Sequence, residues 1–294
     1  MRNKGKLDWL VDAAIVMFMV SMIVLTLYPF YYIIMASISR PSELMSHRGL
    51  ILAPLGGISW AAYKSVIFEN PMIPIGYLNT IFYVAFGTVI NITLTTLGAY
   101  ALSRKKAKLV QPAMFAITFT MLFSGGMIPL FLLVKQLGLI NSRLAILLPT
   151  AVSAYNLIIM RTSFQALPDS LEESAKMDGA NDFIILWRIA LPLSKAVVAV
   201  MVLFYSVSHW NSWFPAMMYL RDRDLYPLQL VLREILIMNN TESMTTGAAM
   251  SDAEPIGAAI QYATIMVSTL PILVVYPFLQ KYFVKGVMIG AIKG

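Results

Sequence analysis

The chain has 294 residues, of which 59% are hydrophobic and only 13% charged, and it contains no cysteine. A soluble domain carries about 25% charged residues, so this composition excludes an ordinary soluble protein and favours one that crosses a membrane several times. The lack of cysteine excludes a disulfide framework and thiolate metal sites. The net charge of +7 would suggest nucleic acid for a soluble protein, but here the basic residues cluster beside apolar stretches, so we expect no nucleic-acid binding.

Six apolar stretches are long enough to cross about 30 Å of hydrocarbon. They predict an all-α membrane protein with six transmembrane helices, organised as a single domain over residues 1–294. The predicted spans are Leu10–Ala36, Leu78–Leu102, Pro112–Val134, Leu144–Met160, Leu193–Leu220 and Ala258–Phe283.

The second stretch carries small and hydroxylated residues, among them Gly87, Thr95 and Ala99, and begins beside the polar Asn79. Such residues let helices approach closely and form hydrogen bonds across their interface. Helix packing is therefore favoured over the lining of a pathway in this stretch.

The third stretch is interrupted by two adjacent glycines, Gly125 and Gly126, which precede Pro129. This pattern predicts a local break in the helix. Within a membrane, such a break survives only inside protein or beside a water-filled cavity, because its backbone groups need hydrogen-bond partners.

A polar, charge-bearing segment, Leu171–Pro192, separates the fourth and fifth stretches. Ser170 followed by Glu173 fits a capping box at the start of a helix. The pair Asp178-Gly179 predicts a turn that ends this helix, since glycine tolerates a left-handed backbone. An amphipathic piece follows, so we expect two short helices joined by a tight turn, exposed at a membrane surface as a docking element for another protein.

The spacing within this segment resembles the EAA signature of ABC importer permease subunits. Glu173-Ser174-Ala175 is followed after three residues by Gly179, and after nine more by Ile189-Ala190-Leu191-Pro192; Ser174 replaces the usual alanine. The resemblance implies a type I ABC importer permease fold in which about residues 165–192 form the cytoplasmic coupling helix, inserted into a groove of the ATPase subunit. The ATPase-coupling residues that it implies are Glu173, Ser174, Ala175, Asp178, Gly179, Ala180, Ile189 and Pro192.

The fifth stretch ends in an aromatic and polar cluster that contains Trp210, Asn211 and Trp213. These residues fit either an aromatic belt at the membrane interface or a surface that binds sugar, and the residues alone leave both open. The cluster resembles the fifth span of maltose-type permeases, the pattern around Gly125 resembles carbohydrate permeases, and Asn79-Thr80 resembles the second span of sugar-type ABC permeases. The substrate-pathway residues implied by these resemblances are Trp210, Asn211, Trp213, Asn79, Gly125 and Gly126.

The basic residues predict the orientation. The cluster Arg104-Lys105-Lys106-Ala107-Lys108 follows the second stretch, and most of the 22 basic residues fall on the same side as this cluster. The positive-inside rule places that side in the cytoplasm, together with both termini and the Glu173 segment. The segments Ser39–Tyr77 and Arg221–Gly257 are then extracytoplasmic.

The chain lacks a phosphate-binding Gly-x-x-x-x-Gly-Lys-Ser/Thr loop, paired membrane carboxylates and any nucleophile–base pair. We therefore expect no enzymatic activity, no metal and no cofactor in this chain. The resemblance implies that partner ATPase subunits bind the ATP. It also implies a second permease subunit, two ATPase subunits and an extracytoplasmic solute-binding protein as partners, in the lipid of a prokaryotic cytoplasmic membrane.

The implied cargo is an oligosaccharide. Within sugar permeases, Asn211–Pro215 and Leu225–Gln229 resemble the subgroup that handles uronate-containing oligosaccharides. Two alternatives remain open: an ABC permease for peptides or amino acids, and a self-contained secondary transporter or channel in which the Glu173 segment is only a connector. Co-purification of an obligate ATPase separates the last alternative from the others.

Overall fold

The structure, a computed structural model, describes residues 6–104, 109–245, 257, 259–274 and 277. Within these ranges all regular secondary structure is helical, as the sequence predicts. The helices are α1 (Lys6–Ser37), α2 (Pro41–Ser46), α3 (Ala61–Lys64), α4 (Met72–Ser103), α5 (Val110–Leu122), α6 (Met127–Gln136), α7 (Leu144–Leu147), α8 (Ala154–Gln165), α9 (Asp169–Met177), α10 (Asp182–Ile185), α11 (Leu191–Leu193), α12 (Lys195–Trp210), α13 (Trp213–Tyr219), α14 (Leu228–Thr245) and α15 (Ala259–Val274).

The chain groups into two compact units. The first comprises Met1–Pro71 and Glu234–Leu270, and the second comprises Met72–Arg233 and Pro271–Gly294. Every residue that the sequence singles out for coupling or for the pathway falls in the second unit.

In the first unit, α1 is apolar on all sides and exposes nearly its whole surface. Its 32 residues extend over about 48 Å, more than the hydrocarbon core requires. A helix that is apolar all round and that its own chain does not cover suits contact with lipid. The last turns of α1 form hydrogen bonds with the segment around residues 51 and 52. Tyr31 donates to the carbonyl of Leu52, and Tyr28 accepts from the N–H of Ile51.

In the second unit, α4 is the central helix and packs against α8 and α12. Its buried residues recur every three or four positions and are mostly small or polar, as the sequence predicts for a packing face. They are Ile73, Gly76, Asn79, Thr80, Tyr83, Gly87, Thr88, Asn91, Thr95, Thr96, Ala99, Tyr100 and Ser103.

The six predicted spans all carry helix in their described parts, but several are broken. Trp9–Ser37 and Met72–Ser103 are long and apolar enough to cross a membrane as single helices. The third predicted span bends by 117° between α5 and α6, and Asp182–Leu193 bends by 85° against α12. If each bent pair is one span, up to four spans meet this test among the described residues.

The other two predicted spans also differ from straight helices. The fourth is divided by the irregular residues 148–153 between α7 and α8. The sixth is helical over α15, and its residues 278–283 lie outside the described ranges. The sequence predicts the break in the third span from its glycines but not the one in the fourth.

Candidate functional site

The segment with the Glu173 pattern forms two short helices, α9 and α10, as predicted, but it begins differently. Helix α9 starts at Asp169 with Pro168 at the N-cap, and this N-cap residue makes no side-chain cap hydrogen bond. Ser170 and Glu173 therefore lie inside the helix, and the predicted capping box is wrong. Proline has a fixed φ and no N–H, so it suits a helix start, and Asp169 and Glu172 place negative charge in the first turn.

The turn after α9 confirms the prediction for Gly179. Its φ is +81°, in the left-handed region. Ala180 donates its N–H to the carbonyl of Ala175 at 2.9 Å, and Gly179 donates to that of Lys176 at 3.0 Å. These two bonds form a Schellman motif around the C-cap residue Asp178.

The next helix begins with a side-chain cap, which sets the angle at which the chain leaves the turn. The Oδ1 of Asn181 accepts from the N–H of Ile184 at 2.9 Å. Helix α10 continues through the π-helical turn Leu186–Ala190 into α11, and Ser194 lies at the 85° bend before α12.

The small and aliphatic residues of the pattern attach this segment to the ends of α4 and α8. Ala175 and Ala190 are buried in one cluster with Tyr100 of α4 and Phe164 of α8. Ala180 and Ile189 are half-buried against the same cluster. The spacing of the pattern therefore serves packing at these positions, because each small side chain allows a helix end to approach closely.

The opposite side of the segment is exposed. Glu173, Ser174 and Asp178 are exposed and polar, and Pro192 is also exposed. Among the residues that the structure describes, none forms a hydrogen bond or ion pair with the side chain of Glu173. Large apolar side chains share this exposed surface, namely Met177 (88% exposed), Phe183 (67%) and Trp187 (59%).

A charged network that the sequence does not reveal joins the segment to α4. Glu172 accepts from both Arg104, at the end of α4, and Lys176, at 2.7 Å. Lys176 also lies 3.6 Å from Asp182 across the turn. The guanidinium of Arg104 lies 4.2 Å above the ring of Tyr100, which fixes its position. These groups border a cleft of about 490 Å³ between α4, α8 and the two short helices.

A second polar cluster lies inside the unit and anchors the break in the fourth predicted span. The amide of Asn91 donates to the carbonyls of Thr150 and Ala151 at 2.7 and 2.8 Å. Its Oδ1 lies 2.6 Å from His209 Nε2. Because an amide oxygen only accepts, the histidine ring donates from Nε2.

The histidine in this cluster packs on the bare backbone of α4. A Cβ at Gly87 would lie 2.4–2.7 Å from the ring of His209, so any larger residue there would displace the histidine. Nearby, the hydroxyl of Tyr205 lies 2.7 Å from Thr95 Oγ1 and accepts from the N–H of Ser153 at 3.2 Å. A cavity of about 340 Å³ beside the cluster is lined by Pro149, Thr150, Val152, Ser153, Asn156, Phe204, Tyr205, Ser208 and His209.

Asn79, a predicted pathway residue, holds a neighbouring segment in place. Its amide donates to the carbonyls of Asp224 and Tyr226 at 2.7 and 3.1 Å, and its Oδ1 accepts from Arg143 at 3.1 Å. The side chain is buried. Both donors and the acceptor are in use, which favours a structural role over contact with cargo.

The other predicted pathway residues lie at two helix breaks. Gly125 and Gly126 are exposed at the bend between α5 and α6, with no atom within 4 Å of an added Cβ. Trp210 ends α12 with its ring 6.4 Å from that of Tyr77. Asn211 is exposed and donates to the carbonyl of Val207. Trp213 begins α13, half-buried and edge-on to Phe214 at 5.4 Å.

Comparison with known proteins identifies the family to which this architecture belongs. A family profile described as "Binding-protein-dependent transport system inner membrane component" matches residues 92–289. The chain belongs to this family, and it has the type I permease fold of ABC importers. The family is one of transport permeases, so this chain is not an enzyme, and the alternative of a self-contained secondary transporter or channel is overturned.

Individual relatives extend over almost the whole chain. The polygalacturonan/rhamnogalacturonan transport system permease protein YtcP of Bacillus subtilis (strain 168) is 43% identical over 97% of this chain and 99% of its own. Protein LplC of the same organism is 42% identical over 96% and 95%. A chain from the crystal structure of a bacterial ABC transporter involved in the import of the acidic polysaccharide alginate aligns with a TM-score of 0.86 and 34% identity, covering 96% of this chain and 100% of that chain.

Proposed function

We propose that this permease subunit passes an acidic, uronate-containing oligosaccharide from an extracytoplasmic solute-binding protein into the cytoplasm. It would act with a second permease subunit and two ATPase subunits that bind the ATP. The cargo is supported by the polygalacturonan and alginate systems to which the chain is similar. The observation that carries the coupling role is the two-sided segment α9–α11, which is buried on α4 and α8 on one side and exposed on the other.

The exposed side of this segment has the composition of a docking surface. Aromatic residues and methionine, which are enriched at protein interfaces, are exposed on the same segment as Glu173. That carboxylate has no partner among the described residues, so a cation on the ATPase can bind it without breaking an existing pair. ATP-driven movement of the ATPase would then move α9–α11 and switch the access of the pathway.

Replacing Glu173 tests this role. Because Glu173 does not cap α9, Glu173→Gln and Glu173→Ala should weaken ATPase association to a similar extent. A lost charge-assisted bond costs about 1.5–3 kcal/mol, or roughly tenfold or more in affinity. Membrane insertion should stay normal. Co-purification and transport-coupled ATP hydrolysis of the assembled importer measure the effect.

Glu43→Gln provides the matched control, because Glu43 is an exposed carboxylate in a predicted extracytoplasmic segment. It should leave association unchanged. If Glu173→Gln binds the ATPase normally while Glu173→Ala does not, the negative charge is not what the ATPase recognises.

We propose that the breaks at Gly125-Gly126 and at Asn211 contribute to the cargo pathway, with Trp210 and Trp213 beside the second. Both breaks leave backbone groups outside regular helix, and membrane-embedded backbone of this kind needs protein or water around it. The second permease subunit and a water-filled pathway would supply these surroundings. The cavity beside His209 offers further polar groups on the same helix, α12.

We propose that both termini and α9–α11 are cytoplasmic and that the chain is a single permease domain. The family match over residues 92–289 includes parts of both compact units, which supports one domain.

The orientation can be tested with single thiols. Met177→Cys and Phe68→Cys place them at positions that are 88% and 80% exposed. A membrane-impermeant maleimide applied to intact cells should label only F68C.

Permeabilised cells that lack the ATPase subunits provide the control, since both variants should then be labelled. Labelling of M177C in intact cells would reverse the proposed orientation.

A further inference from the structure

The guanidinium of Arg233, on α14, has an incomplete set of partners. It lies half-buried over the indole of Trp213, with 4.6 Å between Cζ and the ring centroid. In the described part of the chain, its one hydrogen bond runs from Nη1 to the thioether sulfur of Met217 at 3.1 Å, a weak acceptor. Within the described residues no oxygen atom accepts from this group. Most of its five N–H donors are therefore unused.

Two other half-buried arginines in the same unit donate hydrogen bonds to oxygen atoms of the protein. Arg104 is bound to the carboxylate of Glu172, and Arg161 donates from Nε to the carbonyl of Leu102 at 2.8 Å. Both are half-buried like Arg233. The hydrogen bond of Arg233 is at an exposed position and no described oxygen atom accepts from its guanidinium, so its donors can bind an oxygen-bearing ligand without breaking an ion pair within the described residues.

The surroundings of Arg233 leave its donors accessible. Trp213 follows directly after the break at Asn211, which is exposed, and Met217 is exposed beside the guanidinium. Stacking on an indole covers one face of a guanidinium and leaves its in-plane N–H groups free. The pair Arg233–Trp213 therefore presents a fixed, planar set of donors next to the proposed pathway.

We propose that Arg233, held by Trp213, is a subsite for the carboxylate of a uronate unit as the cargo enters the pathway. A guanidinium binds a carboxylate through two parallel N–H···O bonds, and a neutral sugar offers no equivalent acceptor. This inference rests on the proposed acidic cargo. It assigns the recognition of the acid to this subunit as well as to the binding protein.

The lack of cysteine in the chain allows a chemical test. In proteoliposomes that hold the assembled importer and its binding protein, Arg233→Cys should lower uptake of a short radiolabelled oligogalacturonate at least about tenfold. Aminoethyl methanethiosulfonate, which restores a positive charge, should recover much of the uptake. Methyl methanethiosulfonate, which is neutral, should not. Arg221→Cys, at an exposed arginine, is the matched control and should transport normally.

The outcomes distinguish this inference from the proposed function. If neither the wild type nor the variant takes up the oligogalacturonate, the proposed acidic cargo is overturned, and the subsite with it. Normal uptake by R233C, or equal recovery with both reagents, overturns the subsite alone. If R233C assembles poorly, Arg233→Lys keeps the charge without the planar donors and should assemble but transport less than wild type. Full uptake by R233K would then overturn the bidentate site.

Discussion

Asn91→Leu is expected to destabilise the assembled importer and to abolish most of its transport. Leucine has similar bulk but removes the bonds to the carbonyls of Thr150 and Ala151 and to His209. Interhelical hydrogen bonds in membranes contribute about 0.6 kcal/mol on average, and buried groups left unpaired cost about 1–3 kcal/mol each. We therefore expect a loss of about 2–4 kcal/mol, measured as a lower thermal unfolding midpoint of the detergent-solubilised complex.

Asn211→Leu is the control for this prediction. The amide of Asn211 is exposed, and among the described residues its one partner is the carbonyl of Val207, four residues earlier. Its loss should change stability by about 0.5 kcal/mol or less. Equal destabilisation by the two leucine variants would show that the contacts of Asn91 with residues 150 and 151 do not stabilise the break in the fourth predicted span.

Trp187→Ala is expected to prevent stable binding of the ATPase. Trp187 is 59% exposed on the proposed docking surface, and tryptophan is among the residue types that most often dominate an interface. Its truncation should cost about 2 kcal/mol or more, roughly a thirtyfold loss of affinity. Titration of the purified ATPase against the permease pair in detergent measures this change.

Trp60→Ala is the matched control because Trp60 is 64% exposed, close to the 59% of Trp187, and lies in a predicted extracytoplasmic segment. It should bind the ATPase like wild type. An unchanged affinity for W187A, with folding intact, would move the docking surface away from α10 and toward Glu173 and Met177.

The sequence predicts those features that arise from a few neighbouring residues. Gly179 takes the left-handed turn, and Gly125-Gly126 marks the sharpest bend, because glycine and proline act on the backbone where they stand. The capping box fails for a related reason: Pro168, two residues before Ser170, starts the helix earlier, and the Ser-x-x-Glu spacing falls inside it.

The features that the sequence does not predict depend on distant partners. Asn91 and His209 are 118 residues apart, and Asn79 bonds to carbonyls more than 140 residues away. A polar residue on an apolar helix indicates that some partner exists but does not identify it. For Asn79 the surrounding residues favour packing and the family resemblance implies a pathway role, but neither identifies the backbone carbonyls that the structure gives as its partners.

The way α9–α11 is attached has a mechanical consequence. Ala175 and Ala190 are buried in one cluster with Tyr100 of α4 and Phe164 of α8, and Glu172 ties the segment to Arg104. A segment held in this manner has few soft degrees of freedom, so a displacement imposed at its exposed surface passes to both helices with little loss. Since Asp182–Leu193 meets α12 at 85°, a push along the axis of that stretch would act almost perpendicular to α12 and would tilt that helix instead of sliding it along its axis.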